Sequence, residues 1–203
     1  MKRVIWIVVI VIGVIGCDVI DDDEISYYYG RCTEGSILME GDSITQRYNW
    51  QDLSDNDICI AAIHGSKTYN VIERFDADFA LNHSKIILMI GTNDAAIKES
   101  LSDYSSRMKI IISKYIEYNI PIYILSVIPR GACCTTTENH NSRVEEYNNF
   151  LREYCNENDI TFIDFYDAFK NSSDNLYVES SGGVHPNGKG YKIIIDKIYN
   201  ILQ

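Results

Sequence analysis

The sequence predicts a three-layer α/β/α domain on one five-stranded parallel sheet, and three observations predict it. Five short runs, residues 36–39, 58–63, 86–90, 122–127 and 161–163, are rich in Ile, Leu and Val. They show no polar alternation, as befits strands buried on both faces. Longer segments with apolar residues at every third or fourth position separate them, and strand alternating with helix argues for parallel strands with helices on both sides. No linker, internal repeat or low-complexity stretch interrupts residues 36–203.

The helices follow in order. Tyr69, Ile72, Phe75 and Phe79 make the first stripe. Leu101, Tyr104, Met108, Ile111 and Tyr115 make the second, with Ser100 and Asp103 spaced as a capping box. Val144, Tyr147, Leu151 and Tyr154 form the third, and Tyr191, Ile194, Ile198 and Ile201 the last. The longest loops are 131–141 and 171–189, and long loops on an α/β sheet often line a site.

The first residues read as a targeting segment. Met1, Lys2 and Arg3 precede an apolar run from Val4 to Gly16. That run is shorter than the ~17–25 residues of a membrane-spanning helix and fits a secretory h-region. It ends in Val14-Ile15-Gly16-Cys17, which resembles the lipobox of bacterial lipoproteins. The resemblance implies cleavage before Cys17, lipidation of its thiol and a membrane anchor; an uncleaved short anchor is the alternative, and both export the domain. The chain is thus divided into a signal peptide (1–16), an acidic tether (17–34) and the α/β domain (35–203). Asp18 to Glu24 contains five acidic residues.

Charge and cysteine content narrow the classes further. The chain has 18 Lys and Arg against 29 Asp and Glu, a net charge of -11, which disfavours nucleic acid as a partner. No Cys-x-x-Cys pair or His/Cys cluster suggests a metal site, and no cofactor is called for. Cys59 lies in an apolar run and reads as a buried thiol, while export permits disulfides among Cys32, Cys133, Cys134 and Cys155.

Three polar motifs follow the first three strands: Gly41-Asp42-Ser43, His64-Gly65-Ser66 and Gly91-Thr92-Asn93-Asp94. A fourth, His185-Pro186-Asn187, precedes the last helix. Each alone is compatible with ordinary turn and cap chemistry. Together, in this order, they resemble the four blocks of the SGNH (GDSL) hydrolases: Gly41-Asp42-Ser43-Ile44-Thr45, then Gly65, then Gly91-Thr92-Asn93-Asp94, then Gly183-Val184-His185-Pro186-Asn187.

That resemblance implies a flavodoxin-like sheet of order 2-1-3-4-5. In such a sheet ligands bind beyond the strand ends, at the switch between strands 1 and 3. Ser43 and Asn93 would flank that point. An esterase needs a hydroxyl nucleophile, a base and oxyanion donors. Ser43 supplies the nucleophile, and His185 is preferred as base over His64, His83 and His140. The oxyanion donors would be the backbone N–H groups of Ser43 and Gly65 and the Asn93 side-chain amide. Asp42 is expected to fix the turn, and Asp94 to cap the loop after strand 3.

The pattern breaks at one position. The family places an aspartate three residues before the histidine, where this chain has Gly182. Either Glu179 or Asp174 orients His185, with Glu179 preferred, or a Ser–His dyad operates, or the domain binds without cleaving. The leading expectation is a lipid-anchored serine esterase acting on short acyl esters or O-acetyl groups of an envelope glycan or lipid. The alternatives are an O-acetyltransferase and a non-catalytic glycan- or surface-binding module.

Overall fold

Residues 32–76, 80, 82–132 and 137–203 are described by a computed structural model. The five strands are β1 (Ile37–Gly41), β2 (Ile58–Ile60), β3 (Lys85–Met89), β4 (Ile122–Leu125) and β5 (Thr161–Ile163). All pair in parallel, in the order β2-β1-β3-β4-β5. The flavodoxin-like sheet read from the motifs is therefore present. The second and fourth strands end earlier than their apolar runs, because residues 61–63 and 126–127 already turn into the loops that carry polar groups to the sheet edge.

The helices among the described residues are α1 (Ser43–Gln46), α2 (Thr68–Glu73), α3 (Thr92–Ala96), α4 (Leu101–Glu117), α5 (Thr137–Glu157), α6 (Tyr166–Lys170) and α7 (Gly188–Leu202). The missing alternation in the strands has a direct cause. Leu38, Ile86 and Leu88 face a layer containing Tyr104, Met108 and Ile111 of α4 and Val144, Tyr147 and Leu151 of α5. Ile37, Met39, Ile87 and Met89 face the opposite layer, with Phe169 of α6 and Ile194 and Ile198 of α7. Successive side chains point to opposite faces, and here both faces are core.

Ser100 caps α4, accepting the amide of Asp103 at 3.1 Å, while its hydroxyl donates to the Asp103 carboxylate at 2.7 Å. The first stripe holds in part: Ile72 and Phe75 pack against the core, and Phe79 lies outside the described residues. Tyr69 is 38% exposed and Val71 takes the core position, because α2 is short and only its middle reaches the sheet. Leu101 is likewise exposed, since it opens α4 beyond the edge of the core.

Cys59 corrects the sequence reading: it is bonded to Cys32. The position inside β2 is buried, but the side chain meets the segment entering β1. Cys155 is a free, buried thiol, which burial pushes up to about 11. Residues 1–31, including the signal segment and Cys17, and also Cys133 and Cys134, lie outside the described residues. No described helix is long and apolar enough to cross a membrane.

Candidate active site

Ser43 opens α1 directly beyond the carboxyl end of β1. Asp42 is the N-cap: its Oδ1 accepts the Ile44 amide at 2.9 Å, as the sequence led one to expect of a turn-fixing residue. At the first position of a helix the Ser43 amide has no intrahelical acceptor, and the helix end favours negative charge. The Ser43 residue is 4% exposed.

His185 arrives from the other end of the chain. Its Nε2 lies 2.9 Å from Ser43 Oγ. Two features bring the loop there. Asn187 caps α7 by accepting the amides of Lys189 and Gly190, which fixes where the chain enters that helix. The Tyr191 hydroxyl of α7 then donates to the Ile44 carbonyl of α1 at 2.8 Å, tying the two helices together. The loop backbone is held as well: the Val178 amide donates to the His185 carbonyl at 2.9 Å, and the His185 amide to Ser181 Oγ at 3.2 Å.

The imidazole has a pKa below the ordinary histidine value. Partial burial is the main cause, followed by the positive charge of Arg47 and the neighbouring His64, whose ring centroid is 6.5 Å away. This lowering favours the uncharged ring. With the proton on Nδ1, Nε2 accepts the Ser43 hydroxyl proton.

The remaining blocks follow the two strands that flank β1. The turn after β2 closes with the Ser66 amide donating to the Ile63 carbonyl at 3.1 Å, and it places Gly65 at φ 75°. A side chain there would meet open space, so the backbone angle rather than crowding is what glycine answers. Asn93, in α3, donates one Nδ2 hydrogen to the Ser66 carbonyl at 2.9 Å. A primary amide has two such hydrogens, and the second has no acceptor among the described residues. Ser43, Gly65 and Asn93 thus follow β1, β2 and β3, which are neighbours in the sheet.

Asp94 has a different task from the loop cap foreseen. Its carboxylate accepts the Thr68 amide at 3.1 Å and the Thr68 hydroxyl at 2.5 Å, and so fastens the start of α2 to the third block. Of the other histidines, His83 bonds to Ser36 Oγ at 2.9 Å near the start of β1. His140 points Nε2 at the Thr92 carbonyl, 3.1 Å away. Neither reaches Ser43.

The acid favoured from sequence is not at the histidine. Among the described residues no carboxylate forms an ion pair or hydrogen bond with the His185 ring. Glu179 opens an exposed 3₁₀ turn, Glu179–Ser181, and Asp174 pairs with Lys189 at 3.1 Å. The cause is the local turn. The Ser181 hydroxyl bonds the Val178 carbonyl and accepts the His185 amide, so a serine closes the loop from inside and leaves the glutamate outside.

Beside the histidine loop lies a cleft of about 710 Å³, which the motifs do not announce. Arg130, Asn175, Tyr177, Glu179 and Gly183 are among its lining residues, drawn from the two long loops noted in the sequence. Ser43 and His185 do not line it. Among the described residues no cluster of His, Cys, Asp and Glu could hold a metal ion.

A five-stranded parallel sheet with the four motif blocks at its carboxyl edge defines a hydrolase of the SGNH class. The chain belongs to the GDSL-like lipase/acylhydrolase family, whose model matches residues 40–193. It is an enzyme of the esterase type. Solved structures of similar fold include a GDSL-like lipase from Bacteroides thetaiotaomicron VPI-5482, with 18% identity, a TM-score of 0.76 and coverage of 89% of this chain and 96% of that one. An acetyl xylan esterase aligns at 20% identity and a TM-score of 0.71, covering 83% of this chain and 100% of its own. A psychrotrophic esterase from Pseudoalteromonas sp., in a form inhibited by monoethylphosphonate, aligns at 17% identity and a TM-score of 0.61, covering 82% and 95%. No curated protein sequence matches the chain.

Proposed function

We propose that the chain is an exported serine esterase that cleaves short acyl esters through an acyl-enzyme on Ser43, using a Ser–His dyad. The 2.9 Å contact between Ser43 Oγ and His185 Nε2 carries this reading. His185 takes the hydroxyl proton as Oγ forms its bond to the ester carbonyl carbon. The Ser43 and Gly65 amides and the free Asn93 N–H receive the developing oxyanion. On collapse the alcohol leaves with the proton from His185. Water then repeats the sequence and releases the acid and free Ser43.

A dyad is chemically sufficient. Removing the acid from a triad costs about 10⁴ in turnover, yet catalysis well above water remains. Here the loop backbone, gripped at both the amide and the carbonyl of His185, takes over orientation. A serine hydroxyl already facing a neutral imidazole argues against a purely binding role, the reading that Gly182 invites.

Short acyl or O-acetyl groups on an envelope glycan or lipid are the substrate class that we favour. The similarity of fold to an acetyl xylan esterase is in keeping with this choice. Lipid anchoring at Cys17 after removal of residues 1–16 rests on the sequence pattern. Export has independent support in the Cys32–Cys59 disulfide, since such bonds persist in oxidising compartments.

The test is labelling with a fluorophosphonate, followed by mass mapping. The adduct is expected on Ser43, absent in Ser43→Ala and strongly reduced in His185→Ala. Asn93→Ala should lower kcat by about 10²–10³. Lack of labelling in the folded native protein, together with retained glycan binding, would favour the binding module instead.

A further inference from the structure

We propose that Arg74 is a positioning residue that holds the oxyanion donors in register through a buried ion pair with Glu40. The inference rests on the esterase reading above and concerns residues outside its four blocks. Glu40 is the residue of β1 just before Gly41, and Arg74 follows the last turn of α2. Their side chains pair in the interior, 5% and 7% exposed.

Several bonds of this pair run to the segments that present donors. One terminal nitrogen of Arg74 donates to Ser66 Oγ at 2.9 Å. The other donates to Glu40 Oε1 and to the Gly41 carbonyl, 3.2 Å away. Glu40 Oε1 also accepts the Gly41 amide at 3.0 Å. The peptide units on both sides of Gly41, two residues before the nucleophile, are thereby fixed. So is Ser66, next to Gly65, and the Ser66 carbonyl in turn holds Asn93. One planar guanidinium joins the first and second blocks directly and the third at one remove.

Stability alone does not account for such a pair. Burying two charges costs desolvation that their attraction offsets only in part, and apolar replacements of similar volume are often as stable. Burial is indeed the leading influence on Glu40, raising its pKa against the lowering effect of Arg74. A fork that must reach two acceptors and a carboxylate at once is a geometric device, which a lysine with its single ammonium cannot reproduce.

The experiment compares Arg74→Lys, Ser66→Ala and their combination with the native protein, using a short p-nitrophenyl ester and a fluorophosphonate. The expected result is a fall in kcat of about tenfold to a hundredfold for Arg74→Lys, the scale of a displaced donor, with KM within about twofold. Phosphonylation of Ser43 should slow in parallel. The acidic limb of the pH profile should not move, because His185 is not touched. Ser66→Ala should show a smaller fall and add little on top of Arg74→Lys, since both cut one connection. Folded variants that keep native kcat and labelling rates would overturn the proposal, and Ser66→Ala serves alone if Arg74→Lys does not fold. Failure of the native protein to label at Ser43 is a separate outcome that overturns the esterase reading itself.

Discussion

The amide of Gly131 donates to the carbonyl of Gly183 at 2.9 Å, and the two backbones are in close contact there. A Cβ on Gly183 would stand 2.7 Å from the Gly131 oxygen, and φ at Gly183 is 73°. Asn141 of α5 holds the neighbouring Arg130 on both sides, accepting its amide at 2.7 Å and donating to its carbonyl at 2.9 Å. A path of hydrogen bonds, through the Asn141 side chain and then backbone to backbone, therefore runs from α5 to the loop that carries His185.

Gly183→Ala should break this path. The side chain must displace backbone in a region where left-handed φ is already unfavourable for alanine. The His185 ring, two residues on, would move from Ser43. A fall in kcat of about tenfold or more is expected, measured on a short ester beside a thermal melt that confirms folding.

The histidine should need no carboxylate partner. Glu179→Ala and Asp174→Ala are each expected to keep kcat/KM within about twofold, whereas His185→Ala should lose about 10³-fold or more. Steady-state hydrolysis of the same ester separates the outcomes. A large loss in Glu179→Ala would restore the acid that the sequence favoured.

The pH profile follows from the lowered pKa of His185. The base works only when neutral, so activity disappears as pH falls through a value below the usual ~6.5 of histidine. Arg47 contributes to that lowering. Arg47→Gln should therefore shift the acidic limb of kcat/KM to higher pH, toward the ordinary histidine value. A limb that stays in place would show that Arg47 exerts no such influence.

Stability should depend on pH through the buried carboxylates. Burial is the main cause raising Asp42 to about 7. A group whose folded pKa lies above its unfolded value gives stability that is complete below the unfolded value and is lost as pH rises through the folded one. The contribution of this carboxyl should therefore be lost between about pH 4 and pH 7, against an opposite contribution from His83, His140 and His185, whose pKa values burial lowers and which add stability as pH rises toward the ordinary histidine value. Asp42→Asn keeps an oxygen to cap α1 and removes this titration, so its urea midpoint should gain on that of the native protein as pH rises across that window. Glu40 and Asp94 are raised by burial too and act in the same direction.

Reducing the disulfide is expected to lower unfolding free energy by about 3–4 kcal/mol on the loop-entropy scale, given the sequence separation of 27. Urea titrations with and without reductant, and with Cys59→Ser, would measure it. Activity under native conditions should persist, because neither sulfur touches the Ser43–His185 pair.

Much of the fold was legible because the strands are buried on both faces and say so in composition. Leu38 and Ile37 lie in opposite layers, and both had to be apolar. The contact of Ser43 with His185 was legible because the two motifs stand beyond a strand end and before a helix start, where the chain itself fixes the position. Side chains reaching across the fold were not. Cys59 looks like a core thiol until the path of residues near Cys32 is known, and Glu179 looks within reach of His185 until Ser181 is seen to close the turn. The reach of Arg74 to Glu40, 34 residues away, leaves no periodic trace. Tyr69 was misplaced because the stripe assumes a helix longer than the six residues of α2.

The Cys32–Cys59 bond has a mechanical side. A pull on the chain ahead of Cys32 divides at the sulfur, part going along the backbone into β1 and part across the bridge into β2. Two hydrogen-bonded neighbours then share the load, instead of the strand that leads to Ser43 bearing it alone. Such a load would enter where β1 and β2 begin, at the opposite end of β1 from Ser43.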